Sequence, residues 1–172
     1  MIQGLFKKPK NDLEPSVSGK IVKPTEVNIP HELCTVCPSC KKSVFSSDLQ
    51  ENHYVCPNCG KHLRLNARQR IHMIADPESF QELWGDLRGA DPLGFPEYEE
   101  KLRAAELASR ESESVVTGTA RIGKLPAAIF VMESAFMMGS MGTVTGEKIA
   151  RLFEYAAEKE LPVVGYTASG GA

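Results

Sequence analysis

The sequence lacks long apolar runs and has no strong excess of charge of either sign. Its longest apolar stretch, Leu125–Met132, is interrupted by Pro126 and falls far short of the about 20 residues that a membrane-spanning helix needs. With 20 Lys and Arg against 22 Asp and Glu, the net charge of −2 argues against a protein that coats nucleic acid. The first residues contain no apolar core of signal-peptide length. We therefore expect a cytoplasmic protein with no membrane span.

Histidine is scarce and is confined to the first half of the chain, which limits the catalytic machinery. The four histidines are His31, His53, His62 and His72. A serine-hydrolase triad needs a histidine beside its nucleophile, so Ser140 and Ser169 are poor candidates for that role. The P-loop and the dinucleotide fingerprint Gly-x-Gly-x-x-Gly are also absent.

Cysteine is scarce as well, but four of the five cysteines form two copies of Cys-Pro-x-Cys, at Cys37/Cys40 and Cys56/Cys59. Zn²⁺ prefers four tetrahedral ligands of this type, and two such pairs 15 to 20 residues apart supply them. The spacing predicts a zinc ribbon. Its ion is expected to be structural, because four cysteines leave no open coordination position.

Other ligand sets are conceivable for this metal. Cys34 also forms a Cys-x-x-Cys pair with Cys37, but the repeat favours the four cysteines named above and leaves Cys34 as a spare thiol. His53 and His62 could replace a cysteine, although both fit better as ribbon surface. The odd cysteine count and the missing signal sequence disfavour a disulfide framework.

Composition and pattern divide the chain into four predicted parts. Residues 1–30 are polar and form a flexible N-terminal arm; residues 31–66 form the ribbon; residues 67–112 form a helical connector. Residues 113–172 form the beginning of a layered α/β domain.

Within these parts, local patterns predict individual elements. In the ribbon, short strands at 44–45, 53–55 and 62–65 surround a polar loop at 46–52. The connector contains a helix at 67–75 capped by Asn66, a second helix beginning at Asp76-Pro77 and a third at 98–110. The expected buried positions are Ile71 and Ile74 in the first, Phe80, Leu83 and Trp84 in the second, and Leu102, Ala104, Ala105 and Ala108 in the third.

The last part is predicted to run strand 115–122, strand 127–132, glycine loop 138–142, helix 143–160 and strand 162–166. The helix is expected to bury Ile149, Leu152, Phe153 and Ala156. A second glycine loop contains Gly170 and Gly171. Without side chains, these glycines could present two N–H groups to the oxyanion of a substrate. A tight turn or a helix start would explain them equally well.

These motifs together resemble one family, the carboxyltransferase β subunit of multisubunit (bacterial and plastid-type) acetyl-CoA carboxylase. The resemblance is carried by the ribbon, by the residues after it, and by the two glycine loops. The quoted segments are Asn66-Ala67-Arg68-Gln69-Arg70-Ile71, Ala90-Asp91-Pro92-Leu93, Ser134-Ala135-Phe136-Met137-Met138-Gly139-Ser140-Met141-Gly142, Gly146-Glu147-Lys148 and Ala168-Ser169-Gly170-Gly171-Ala172.

The resemblance implies a crotonase-type (ClpP-like) spiral fold, first half only, behind the ribbon. It implies transfer of a carboxyl group from carboxybiotin to acetyl-CoA, giving malonyl-CoA for fatty-acid synthesis. Biotin is expected on a separate carrier protein, because the chain has no Ala-Met-Lys-Met motif. The implied partners are a carboxyltransferase α subunit in an α₂β₂ assembly, the biotin carboxyl carrier protein and biotin carboxylase.

The resemblance also implies site residues. Gly170 and Gly171 match the backbone oxyanion donors, and a substrate-binding loop is formed by Met138, Gly139, Ser140, Met141 and Gly142. Met138 replaces a more frequent glycine. Family members are longer, so the chain is expected to be a fragment that is inactive alone.

Two other functions are kept as alternatives. A zinc-ribbon module could bind nucleic acid or protein without catalysis, using the basic residues Lys41, Lys42, Lys61, Arg64, Arg68 and Arg70. A different crotonase-type acyl-CoA enzyme would need acidic residues, for which Glu133 and Glu147 are the nearby candidates.

Overall fold

The computed structural model describes residues 33–170, so the arm predicted at 1–30 and the last two residues lie outside the described part. The strands are β1 (Cys34–Val36), β2 (Ser43–Phe45), β3 (Gln81–Glu82), β4 (Val115–Ile122), β5 (Leu125–Met132) and β6 (Val163–Tyr166). The helices are α1 (Ser46–Glu51), α2 (Ala67–Ile74), α3 (Tyr98–Ser109) and α4 (Thr143–Glu158), with a 3₁₀ turn at Met137–Gly139.

The ribbon consists of the antiparallel pair β1–β2 followed by α1. The prediction of a polar loop at 46–52 is wrong, because most of this segment forms helix α1. Leu49, the apolar residue of α1, is 2% exposed and packs into the ribbon core with Val44 and Tyr54. Leu49 is thus the apolar contact of the short helix with the ribbon core. The strands predicted at 53–55 and 62–65 reduce to one bridge between Val55 and His62.

Helix α2 starts where the sequence predicts. The N–H of Gln69 donates to Asn66 Oδ1 at 2.7 Å, and the N–H of Asn66 donates to Gln69 Oε1 at 3.0 Å. This reciprocal capping box satisfies two backbone donors at the helix start. Ile71 is buried against the sheet and Ile74 is partly buried beside it.

The prediction of a second connector helix is wrong, because Gln81–Glu82 is a strand that pairs with β4. Asp76 was expected to cap that helix. Its carboxylate instead accepts the N–H groups of Gly123 and Lys124, at 3.0 and 2.7 Å, in the turn between β4 and β5. Phe80 packs over Gly118, where an added Cβ would lie 2.6 Å from the phenyl ring. Contacts with a distant turn therefore override a local helix-start pattern.

The main sheet has the strand order β3-β4-β5-β6. Strands β3, β4 and β5 are antiparallel neighbours, whereas β5 and β6 are parallel and are joined through α4. The predicted strands at 115–122, 127–132 and 162–166 are confirmed within a few residues. Ala67 and Ile71 of α2 pack with Ile129 in one core cluster. Leu152 of α4 packs with Ala128 in another. Helices thus contact the sheet through two separate clusters.

The buried faces of α3 and α4 differ from the prediction. In α4, Leu152 and Ala156 are buried as predicted, but Phe153 is 51% exposed and Ile149 is only half-buried. Thr145 and Lys148 complete the buried stripe instead. In α3, Ala105 is buried and Leu102 half-buried, whereas Ala104 and Ala108 are exposed. Within residues 33–170, no helix is both long and apolar enough to cross a membrane.

Candidate functional site

The four cysteines of the repeated motif meet in one metal site. Their Sγ atoms all lie within 4.8 Å of one another. The Sγ atoms of Cys37 and Cys59 are 3.7 Å apart, and those of Cys40 and Cys56 are 3.8 Å apart. Zn–S bonds of about 2.3 Å in a tetrahedron require S···S edges of about 3.8 Å. The cluster therefore fits one Zn²⁺ ion with all four positions filled by protein, which confirms the predicted structural zinc site.

Two equivalent backbone turns carry these ligands. In the first, the N–H of Lys41 donates to Cys37 O, and the N–H of Cys37 donates to Lys42 O, both at 2.9 Å. In the second, the N–H of Gly60 donates to Cys56 O at 2.9 Å, and the N–H of Cys56 donates to Lys61 O at 2.8 Å. Lys41 and Gly60 occupy the same left-handed position, with φ of 60° and 71°. The sequence repeat is thus a structural repeat.

The two thiols of the first turn have pKa values shifted in opposite directions: against the lowering effect of the Lys42 N–H, burial and the neighbouring thiols raise the pKa of Cys40 to about 11. The backbone N–H of Cys40 lowers the pKa of the Cys37 thiol to about 6, although burial acts in the opposite direction. The thiolate is the form that binds Zn²⁺. Cys34 lies in β1 and is not part of the cluster. His53 and His62 are exposed and also lie outside it.

The two glycine loops lie in direct contact at the end of the main sheet. Gly139 packs against the backbone carbonyl of Ala168 so closely that a Cβ atom would overlap it. The N–H of Gly170 donates to Met138 O at 3.1 Å. Gly171 falls outside the described residues. The structure thus brings the predicted substrate loop to the first predicted oxyanion donor, and the N–H of that donor bonds to the loop itself.

The loop has an unusual backbone. Met137, Met138 and Gly139 are three successive residues with left-handed φ values of 45°, 56° and 70°. L-residues adopt this region at a cost, so surrounding contacts must hold the segment. One such contact is the hydroxyl of Ser114, which donates to Ser140 O at 2.7 Å.

The contacts of this hydroxyl extend into α4. The Ser114 hydroxyl lies 2.7 Å from that of Thr145, which donates to Glu113 Oε2 at 3.1 Å. These side chains are buried, and they connect the loop to the start of β4 and the first turn of α4.

A cavity of about 550 Å³ adjoins the loop. Ser140 and Gly142 line it from the loop, and Arg88 and Tyr98 line it from the connector. A Cβ at Gly142 would meet nothing within 4 Å, so this glycine leaves open space at the start of α4. Met138 is 76% exposed. The loop therefore offers an accessible edge and an adjacent cleft, as a substrate-binding loop requires.

Sequence reasoning missed several buried polar residues around this site, namely Glu113, Ser114, Thr145 and Lys148. Thr145 and Lys148 continue the spacing of Leu152 and Ala156 along α4, so the helical period could have indicated them. Burial lowers the pKa of Lys148, while the charges of Glu82 and Glu113 raise it in opposition. Glu133, named above as a candidate acid for a different acyl-CoA enzyme, is only 2% exposed.

Two family profiles match the chain. The acetyl-CoA carboxylase zinc finger domain matches residues 35–59. The carboxyl transferase domain matches residues 61–172, which is more than half of the chain. Together they cover the ribbon and everything after it.

Curated relatives carry the corresponding name. The acetyl-coenzyme A carboxylase carboxyl transferase subunit beta of Ruminiclostridium cellulolyticum is 47% identical over 163 residues, covering 95% of this chain and 57% of the relative. The subunit of that name in Clostridium botulinum (strain Eklund 17B / Type B) is 43% identical over 173 residues, covering 100% and 60%. The chain thus spans about 60% of the length of these relatives.

Solved structures of related proteins show the same fold. The crystal structure of transcarboxylase 12S with methylmalonyl-coenzyme A and methylmalonic acid bound is 26% identical, with a TM-score of 0.53, over 63% of this chain and 20% of that one. A single-chain, multi-domain long-chain acyl-CoA carboxylase is 26% identical with a TM-score of 0.52, over 62% and 11%.

The tetracysteine ribbon corresponds to the acetyl-CoA carboxylase zinc finger domain, and the layered sheet after it has the crotonase-type fold of the carboxyl transferase domain. The fold that the resemblance implied is thereby confirmed. The chain belongs to the carboxyl transferase domain family, and its relatives are the beta subunits of acetyl-CoA carboxylase carboxyl transferase.

Proposed function

We propose that this chain is the acetyl-CoA-binding part of a carboxyltransferase that converts acetyl-CoA to malonyl-CoA, the first step of fatty-acid synthesis. The observation that carries this proposal is the loop 138–142, which lines an open cleft through Ser140 and Gly142 and accepts the N–H of Gly170 at Met138 O. The match to the acetyl-CoA carboxylase zinc finger domain favours acetyl-CoA over longer acyl groups as the substrate.

The proposed role of the chain is to bind the thioester and to stabilise its enolate. Carboxybiotin on a carrier protein supplies the carboxyl group as CO₂, and the biotin left after this release takes the proton from the acetyl methyl group, whose enolate then bonds to the CO₂. Backbone N–H groups at Gly170 and Gly171 hold the enolate oxygen, an arrangement worth a few kcal/mol per donor. Because the Gly170 N–H bonds to Met138 O in the free protein, binding of the thioester must displace that carbonyl.

The proposed assembly is an α₂β₂ carboxyltransferase with an α subunit that binds carboxybiotin. The biotin carboxyl carrier protein and biotin carboxylase complete the cycle. The tetracysteine zinc site gives the ribbon a structural role in this assembly, since no ligand position remains for chemistry.

The test uses the complete polypeptide, co-expressed with the α subunit of the same genome and loaded with zinc. Incubation with carboxylated carrier protein and acetyl-CoA should yield malonyl-CoA, detected by mass spectrometry. Propionyl-CoA and butyryl-CoA serve as competing substrates for acyl-chain preference. A complex that binds acetyl-CoA but forms no malonyl-CoA would contradict the proposal.

A further inference from the structure

Glu133 has an arrangement that the proposed chemistry does not use. It directly follows β5, and its side chain is 2% exposed. Oε2 accepts the N–H of Ala67 at 2.7 Å, and Oε1 accepts the N–H of Ala135 at 2.8 Å. Each carboxylate oxygen therefore binds the backbone of a different segment.

The first of these segments belongs to the ribbon side of the molecule. Ala67 is the first residue of α2 and follows the Asn66 cap. Leu65, two residues earlier, packs against the ribbon core. The negative charge of Glu133 thus lies at the positive end of α2, where the helix dipole favours it.

The second segment leads into the site loop. After Ala135, the N–H of Phe136 donates to Glu133 O at 3.2 Å, and the N–H of Gly139 donates to Phe136 O at 2.8 Å. Gly139 in turn packs against Ala168. The path from the carboxylate to the second glycine loop is therefore a short series of direct contacts.

The first turn of α2 is itself firmly held. The Arg68 guanidinium forms two hydrogen bonds to Glu111, at 2.7 and 2.8 Å, and a third to Glu82 at 2.7 Å. Planar two-point pairs of this kind fix orientation as well as distance. Ala67 is therefore a rigid anchor on which Glu133 can fix the loop.

We propose that Glu133 is a positioning residue that holds the 3₁₀ turn at Met137 and the substrate loop 138–142 in place by tying them to the first turn of α2, and through α2 to the zinc ribbon. The kinetic part of this proposal rests on the function proposed above. A carboxylate can accept both N–H groups at once, whereas a glutamine of the same shape offers one oxygen and one N–H₂ donor. Glu133→Gln must therefore leave one backbone N–H without an acceptor.

The experiment compares Glu133→Gln with wild type in the assembled, zinc-loaded enzyme. ¹³C-methyl labelling of methionine reports on the loop through Met137, Met138 and Met141, on α2 through Met73 and on β5 through Met132. We expect the three loop signals to shift or broaden while those of Met73 and Met132 stay in place. The KM for acetyl-CoA should rise about tenfold or more, with the KM for the carrier protein unchanged within about twofold.

Glu147→Gln is the matched control, because Glu147 is exposed on α4 and pairs with Arg151. It should leave the loop signals and both KM values as in wild type. Glu133→Asp keeps the charge but is one methylene shorter, so it can reach only one of the two segments. It should disturb the loop less than Glu133→Gln does, and it provides the test if the glutamine variant does not fold.

Two results would overturn the proposal. Loop signals and acetyl-CoA KM that stay at their wild-type values in both variants would show that Glu133 does not position the loop. Equal shifts of all five methionine signals would show a general structural role instead. If wild type forms no malonyl-CoA, the proposed function fails, and the methionine signals alone then decide the role of Glu133.

Discussion

Gly139 and Gly142 lie three residues apart in the same loop and meet different requirements. Gly139 has a φ of +70°, and a side chain there would overlap the carbonyl of Ala168. Gly142 has an ordinary φ of −86° and faces open space. In the sequence the two glycines look equivalent. The contact that distinguishes Gly139 from Gly142 is made with Ala168, which lies beyond α4 in the chain. One glycine is required by packing, and the other leaves room beside the cleft.

Alanine substitutions should separate these two roles. Gly139→Ala should destabilise the protein by about 2–4 kcal/mol, because it adds a left-handed penalty to a collision with backbone. Gly142→Ala should cost less than about 1 kcal/mol, yet it should weaken acetyl-CoA binding because the methyl group enters the cleft. Chemical denaturation and calorimetric titration with acetyl-CoA measure the two effects. Equal loss of stability in both variants would contradict this distinction.

At the scale of secondary structure, prediction succeeded where the deciding contacts are local. Helix α2 was predicted from its cap, Asn66, and the prediction holds because the residue that this cap bonds, Gln69, lies within one turn. The prediction of a helix after Asp76 failed because the Asp76 carboxylate accepts the N–H of Gly123 in the β4–β5 turn, 47 positions further along the chain. A cap pattern therefore identifies a side chain ready to accept backbone N–H groups, but it does not say which groups.

Helix α4 shows the same limit in the phase of its buried stripe. The prediction favoured Ile149 and Phe153, since apolar residues are buried more often than polar ones. The observed stripe includes Lys148 at 1% exposure, with Thr145 before it. The helical period is correct, but Thr145 binds Ser114 and Glu113, which lie just before β4, and the sequence does not place these residues beside α4.

Lys148 makes the stability of the molecule depend on pH. Burial lowers the pKa of Lys148 from 10.5, and the charge of Arg88 lowers it further. The negative charges of Glu82, Glu113 and Glu111 raise this pKa but do not outweigh burial. The unfolded chain therefore binds this proton more tightly than the native protein does. As pH rises from the lowered pKa towards 10.5, the free energy of unfolding should increase relative to a variant without the amine.

Lys148→Met tests this dependence. The variant should be as stable as wild type or more stable at neutral pH, by about 1 kcal/mol or less. Its advantage should shrink as pH rises, because wild type then buries a neutral amine. Urea denaturation of both proteins between about pH 7 and 10 measures the difference. An advantage that grows with pH would show that the acidic residues outweigh burial.

At the scale of the whole molecule, three separate apolar clusters lie within residues 33–170. One fills the ribbon around Cys37 and Cys56. The other two lie on the sheet, one with α2 and one with α4. The metal site could be predicted in full because all its information is local to two turns. The contact between the glycine loops and the burial of Glu133 could not be predicted from the sequence. Both depend on how the ribbon, the helices and the sheet pack against one another.

Separate clusters imply that the ribbon and the sheet differ in their dependence on zinc. Four thiolates around one ion supply much of the folding energy of so small a module, whereas β4 and β5 are held by long antiparallel pairing and two apolar clusters. Chelation of zinc, or Cys59→Ser, should raise amide hydrogen exchange in β1 and β2 at least about 100-fold. Exchange in β4 and β5 should change little.

Cys34→Ser is the matched control, because Cys34 lies outside the metal cluster. It should keep one zinc ion per chain, measured by elemental analysis, with the exchange pattern of wild type. Loss of zinc from Cys34→Ser would show that the ligand set is shifted. Equal loss of protection in the ribbon and in β4–β5 after chelation would show that zinc stabilises the sheet directly. The expected outcome instead makes the ribbon a metal-dependent unit attached to a sheet that folds around its own core.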